Sequence, residues 1–343
     1  MNLLLAIPAL AVLLLTAGCS SPREALETRL KPIRFYGWTA TVVNPSPDWN
    51  PAKHVLLTRS IGGFSLLDEA GEHAFASDTN RESHNARWLN HNQFVFGPGW
   101  NARRAPDGSV TTPSEGITLV TIEDGKPVER SRLCDRGANP RPAGNAVAIQ
   151  VGNIIEFVDS RGKISEFGEG FDAVPQSDGP GLAWRDTPAF EPDWWTGRTD
   201  PGVMHVRWKA GAVDDLPEGM QATWTRDGGV LATVRNAPAP AGKPWWAGGT
   251  RIVLLAGPGA PPQTVRPDAY DPASHPLADL MAWIGDDGGV WIGTMRLGGW
   301  TERIAETGSR PRWSHDGLRL TWLEPPAAGS QLPAIRVAVL AVK

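Results

Sequence analysis

The sequence predicts an all-β chain folded as a single β-propeller of about seven four-stranded blades. Three observations predict it. A hairpin signature of aromatic residue, polar turn and alternating strand recurs along the chain. The copies keep a period in the 40s, and each is followed by a second strand pair with a Gly-rich turn.

The clearest copy is residues 311–322, PRWSHDGLRLTW. Asp316-Gly317 supplies the positive φ that a tight antiparallel turn needs, and residues 318–322 alternate as a strand. Trp313 is placed to pack under the turn and seal one sheet on the next. Residues 224–228 followed by 230–234 make a second close copy. Looser ones are 47–51 followed by 54–58, and 87–91 followed by 93–96; residues 140–149, 175–184 and 274–284 are weaker still. Trp49 and Trp88 are 39 residues apart. The 136 residues from Trp88 to Trp224 divide into three units of about 45, and the 89 from Trp224 to Trp313 into two.

The second strand pairs begin at residues 63–67, 117–122, 154–158, 203–208, 252–256 and 290–297, each running into a turn that contains Gly. The last unit stops after a third strand, 334–342. Residues 33–43 are the candidate fourth strand, so the N- and C-terminal strands close the ring in one blade and leave no open sheet edge. Because three copies are degenerate, six blades is the alternative count.

The Trp–polar–Asp–Gly–strand pattern resembles the TolB-like family of WD40-type (PD40) propeller repeats, from about Trp38 to the C-terminus. Residues 311–322 and 221–234 carry the specific matches, although His315 stands where the family usually has Pro. The resemblance implies a propeller with a binding or scaffolding role and implies no reaction.

At 343 residues and 41% hydrophobic, the chain can bury one large core, and its 38 Gly and 31 Pro suit a fold made of turns. A net charge of −4 argues against nucleic acid as a partner. Residues 2–18 are uncharged and mostly apolar, and the apolar run 3–15 is too short to span a bilayer. Residues 15–19, LTAGC, resemble the bacterial lipobox, although Met1-Asn2 carries no basic residue. The resemblance implies a lipoprotein signal peptide over 1–18, cleavage before Cys19, and lipid (palmitate among it) on Cys19. An ordinary signal peptide with an incidental Cys is the alternative. In a two-membrane bacterium, Ser20 rather than Asp after the cysteine implies an outer-membrane lipoprotein facing the periplasm. Residues 19–32 then form a tether: Ser21-Pro22-Arg23-Glu24 reads as a helix start, and a frayed linker is the equal alternative. The propeller domain is 33–343. Cys134, left without a partner by lipidation of Cys19, reads as a small buried apolar residue.

Long connections between second and third strands fall at 98–115, 186–201, 236–249 and 324–333. In a propeller these emerge on one face. They carry Trp100, Trp194, Trp195, Trp245 and Trp246 with Arg103, Arg104, Arg198 and Lys243. One reading is a binding face for a protein or an envelope glycan; the other is rings folded over sheet ends. No catalytic motif appears. The seven His show no HxH or HExxH spacing, so no metal or other cofactor is expected, and no G-x-S-x-G elbow occurs. Ser314-His315-Asp316 reads as turn residues, since neighbours in a tight turn do not orient as a triad. The expectation is therefore a membrane-anchored, non-catalytic protein-binding propeller. A glycan- or small-ligand-binding propeller, or a propeller enzyme with a site in the central channel, is the alternative, and a purely structural envelope protein is the third.

Overall fold

The computed structural model describes residues 32–38, 47–60, 63–68, 71–76, 84–98, 103–104, 110–111, 116–187, 202–238, 240, 245–325 and 333–340. They form seven four-stranded antiparallel sheets, the blades of a β-propeller. In chain order the blades are 48–76, 84–134, 138–169, 171–217, 219–267, 269–305 and 309–340. Six are consecutive meanders. The seventh takes its fourth, outermost strand from the N-terminus: Pro32–Trp38 pairs antiparallel with Ala334–Leu340. The six-blade alternative is thereby set aside, and the closing strand is the one the sequence offered; residues 39–43 lie outside the described residues.

The core is divided among the seams. Each of seven buried clusters joins two neighbouring blades. One of them, Trp49, Leu56 and Leu67 with Leu323, Ile335 and Val337, locks the first blade to the last. The signature tryptophans sit at these seams, and three of them add a directional bond; the buried indole N–H of Trp88 has no partner among the described residues. The indole N–H of Trp313 donates to the carbonyl of Ala273, that of Trp224 to Val174, and that of Trp49 to Arg312, at 3.1, 2.9 and 3.2 Å. Each acceptor lies on the inner strand of the preceding blade, so one residue type fixes both the packing and the azimuth of successive sheets.

The Asp-Gly turns adopt the required backbone: Gly228, Gly288 and Gly317 have φ of 82°, 78° and 69°. At Gly317 the turn also receives a neighbour. The buried imidazole of His275, from the corresponding turn of the sixth blade, approaches the Gly317 carbonyl through Nε2 at 3.2 Å. Its Nδ1 accepts the backbone N–H groups of Leu277 and Ala278 at 3.1 and 2.9 Å. An Nδ1 that accepts two hydrogen bonds carries no proton, so Nε2–H donates to Gly317 and the ring is neutral. Burial lowers the His275 pKa to about 4, against the pull of the Gly317 carbonyl and Asp316. Between about pH 6.5 and 4 the unfolded chain therefore binds a proton that the fold does not. Stability is fully present above that window and falls by about 3 kcal/mol as pH drops through it. Urea denaturation at pH 7.5 and 4.5 measures the loss, and the slope is expected to flatten in His275→Gln.

Candidate functional site

The inner strands are Asp48–Trp49, His84–Trp88, Ala138–Ala143, Phe171–Pro175, Gly219–Trp224, Ala269–Ser274 and Ser309–Trp313. They surround a central channel that holds a cavity of about 470 Å³, within the range of small-ligand sites. In five of them the register to the second strand slips: between Ala138 and Arg141, Phe171 and Val174, Met220 and Thr223, Tyr270 and Ala273, and Ser309 and Arg312. Inside each slip one non-glycine residue takes a left-handed conformation. These are Asn139, Asp172, Gln221, Asp271 and Arg310, with φ between 49° and 53°. All five line the cavity.

A left-handed backbone costs a residue with a Cβ about 1–2 kcal/mol. At two of the five, bonds from the preceding blade hold the bulged backbone in place. The Asp271 N–H donates to Gln221 Oε1 and Thr233 Oγ1, at 2.9 and 3.1 Å. The Arg310 N–H donates in turn to Asp271 Oδ2 at 2.7 Å. The bulged side chain of one blade thus grips the bulged backbone of the next. Asn85 Nδ2 reaches Asn139 Oδ1 at 3.4 Å between the second and third blades. The bulges give the channel a rim of polar side chains, which an unbroken strand would split between its two faces.

Two residues further along the strands the wall changes character by sector. The second, third and seventh blades supply Arg87, Arg141 and Arg312. The fourth, fifth and sixth supply Val174, Thr223 and Ala273. Arg185 joins from the second strand of the fourth blade, 3.4 Å from Asp172. Among the described residues, the lining holds five Arg against two Asp, Asp172 and Asp271. The cations weaken one another. Burial, then repulsion from Arg141, lowers the Arg87 guanidinium to about 9. Burial followed by repulsion from Arg312 lowers Arg141, and the Arg141 Nε is buried with no hydrogen-bond partner among the described residues. Guanidinium stays charged at neutral pH in proteins, so these charges are held against burial and mutual repulsion, offset in part by Asp48 and Asp172. Asp48 is at the matching position of the first blade, where its Oδ2 accepts the Trp88 N–H at 2.8 Å. Burial raises that carboxyl while Arg87 pulls it down. The result is a channel with Arg87, Arg141 and Arg312 on one sector and Val174, Thr223 and Ala273 at the same level of the other, with Trp184 and Trp313 in its wall.

The binding face expected from the loops falls largely outside the described residues: Trp100, Trp194, Trp195, Arg198 and Lys243 do. Arg103–Arg104 forms a two-residue strand paired with Val110–Thr111, and Trp245–Gly248 is a 3-10 turn, both between second and third strands as expected. Cys19 also lies outside. Cys134 is buried at the end of its strand, where its Sγ donates to the Arg136 carbonyl; burial raises its pKa. Ser314-His315-Asp316 is a turn: Asp316 Oδ1 accepts the Ser314 hydroxyl at 2.7 Å and the Leu318 N–H at 3.0 Å.

No family model matches the sequence, and no curated protein matches it. Solved structures do. An oligogalacturonate lyase in complex with manganese aligns at TM-score 0.54 and 11% identity, covering 91% of this chain and 98% of its own. An oligogalacturonate lyase from Vibrio parahaemolyticus aligns at 0.53 and 9%, covering 90% and 97%. The β-propeller domain of Cps50 (Swd1) from Myceliophteria thermophila aligns at 0.54 and 11%, covering 91% and 98%. At such identity the likeness shows the fold. It also corrects the expectation of a non-enzyme, since two of these propellers are lyases. The physical reason is that a propeller site is assembled one or two residues per blade. The lack of a linear motif is therefore no sign that chemistry is missing.

Proposed function

We propose that the protein takes an anionic ligand bearing several carboxylates, of the acidic oligosaccharide class, into its central channel. The observation that carries this reading is the sector formed by Arg87, Arg141 and Arg312 in a cavity of about 470 Å³. Guanidinium groups suit carboxylates because two parallel N–H donors meet two oxygens. An anion there offsets the repulsion among Arg87, Arg141 and Arg312, which adds to burial in opposing their charges. Trp184, with Val174 and Ala273, offers a surface for the less polar face of a sugar ring. Oligogalacturonate, the substrate named for two propellers of similar fold, is a chain of uronic acids and belongs to this class.

Isothermal titration with a short oligogalacturonate and with its neutral methyl ester tests the proposal. Binding of the acid, weakened by added salt and absent for the ester, is expected. Equal binding of both, or of neither, overturns it. The same incubation is read by ultraviolet absorbance for an unsaturated product. Its appearance makes the channel an elimination site; retained binding without it makes the channel a binding site.

We further propose that Cys19 carries the lipid that holds this propeller at the outer membrane. The lipobox-like residues 15–19 support that reading, and two acyl chains anchor durably where one does not. Palmitate labelling of the expressed chain is expected, with loss of label and release from the membrane fraction in Cys19→Ser. An unlabelled wild-type chain contradicts it.

A further inference from the structure

We propose a divalent transition-metal site of the zinc class at the seam between the first and seventh blades, formed by His54, His315 and Asp316. His54 lies in the turn between the first two strands of the first blade; His315 and Asp316 lie in the corresponding turn of the seventh. One potential ligand atom from each lies within 4.8 Å of the other two. His54 Nε2 is 2.5 Å from Asp316 Oδ2, and the two imidazole rings stand 5.5 Å apart, tilted by 31°. The positions are more than 260 residues apart, which is why no motif announces the site.

Two features separate this cluster from an incidental surface group. First, the carboxylate is already oriented: Oδ1 is held by Ser314 and Leu318, so Oδ2 is presented to His54. Ligand oxygens and nitrogens in metal sites are fixed in this way by a surrounding shell of hydrogen bonds. Second, His315 Nδ1 is buried and has no hydrogen-bond partner among the described residues. A buried ring nitrogen without a partner carries a desolvation cost, so no hydrogen bond at that nitrogen holds the ring against turning toward a cation. Two imidazoles and one carboxylate are a donor set that zinc accepts, with a fourth position left for water or an incoming oxygen. Tetrahedral ligands at about 2.0–2.1 Å stand about 3.3 Å apart. Loading therefore opens the His54–Asp316 contact and draws in the wider pairs. Pro51, Ala52 and Lys53 beside His54 are exposed, so a shift of the His54 side chain displaces no buried packing from these neighbours.

The location gives the site two consequences. It joins the first blade to the last, so a bound ion staples the ring where the chain closes it. His315 also belongs to the wall of the central channel, which puts the ion at the channel's edge.

The test is zinc alone on metal-stripped full-length protein. One zinc per chain is expected, with a rise in Tm of several degrees at saturating zinc. Cobalt substitution is expected to give the visible spectrum of a tetrahedral N/O site. His54→Gln and His315→Gln are each expected to weaken binding by about tenfold or more and to abolish the zinc-dependent rise in Tm, whatever their Tm without zinc. His205→Gln is the control, because His205 Nδ1 pairs with Asp215 at 2.7 Å and has the same His–Asp chemistry without the third ligand. Zinc binding that survives both seam variants, or that His205→Gln removes, overturns the proposal, as does the absence of stoichiometric binding.

Discussion

Arg141→Gln is expected to weaken binding of an acidic oligosaccharide about 30- to 100-fold while leaving the melting temperature unchanged or raised. A charge-assisted hydrogen bond contributes about 1.5–3 kcal/mol, and a guanidinium offers two in parallel. A loss of about 2–3 kcal/mol corresponds to that fall in affinity. The stability side follows from the same geometry. Arg141 sits in a field in which burial and Arg312 both oppose its charge, and its Nε is buried without a partner among the described residues. Removing it withdraws a buried charge that Asp172 and Asp48 offset only in part. Opposite movement of affinity and Tm is the signature of a group kept for a ligand. Arg161→Gln, in an exposed turn of the third blade, should change neither. A fall in both affinity and Tm for Arg141→Gln would instead mean that this arginine supports the fold.

Gly317→Ala is expected to cost about 2–4 kcal/mol, well beyond the loss at an Asp-Gly turn with open space around it. The φ of 69° alone penalises a Cβ by about 1 kcal/mol. The larger part is steric. A Cβ built there stands 2.1 Å from His275 Nε2 and 2.2 Å from its Cε1. That ring cannot give way cheaply. Two backbone N–H groups hold it from one side, and it packs edge-on to Trp313 with centroids 4.7 Å apart. Overpacking a fixed group of this kind costs about 1–3 kcal/mol beyond the backbone strain. Gly228 is the matched comparison: its φ is 82°, yet the nearest atom to a built Cβ is 3.7 Å away. Gly228→Ala should therefore lose only the backbone part, about 1 kcal/mol. Chemical denaturation of both variants separates the contributions. Equal losses would show that His275 is not the wedge described.

Sequence carried the ring further than it carried the site. The repeat of Trp, turn and strand is a local pattern, and local patterns survive without an alignment. Trp313, Trp224 and the Asp-Gly turns therefore pointed to the blades, and residues near 33 to the closing strand. The channel depends on something less local. Arg87 and Arg312 each precede a signature tryptophan, and that shared position was visible. Placing it on the axis, however, requires knowing that the first strand of every blade is the inner one. The bulges at Asn139, Asp172, Gln221, Asp271 and Arg310 were hidden more deeply. None is a glycine; Asn139, Asp172 and Asp271 are of the types that take a left-handed backbone most readily, but nothing in the alternating strand pattern marks these positions as bulges. His54 meeting Asp316 belongs to the same class, since only ring closure brings those turns together.

The most direct test of the central claim is a crystal structure of the protein soaked with a short acidic oligosaccharide. Density for the sugar acid is expected inside the channel, with a carboxylate within hydrogen-bond distance of Arg87, Arg141 or Arg312. Ligand held only on the outer surface of the blades, with the channel filled by water, would contradict the account.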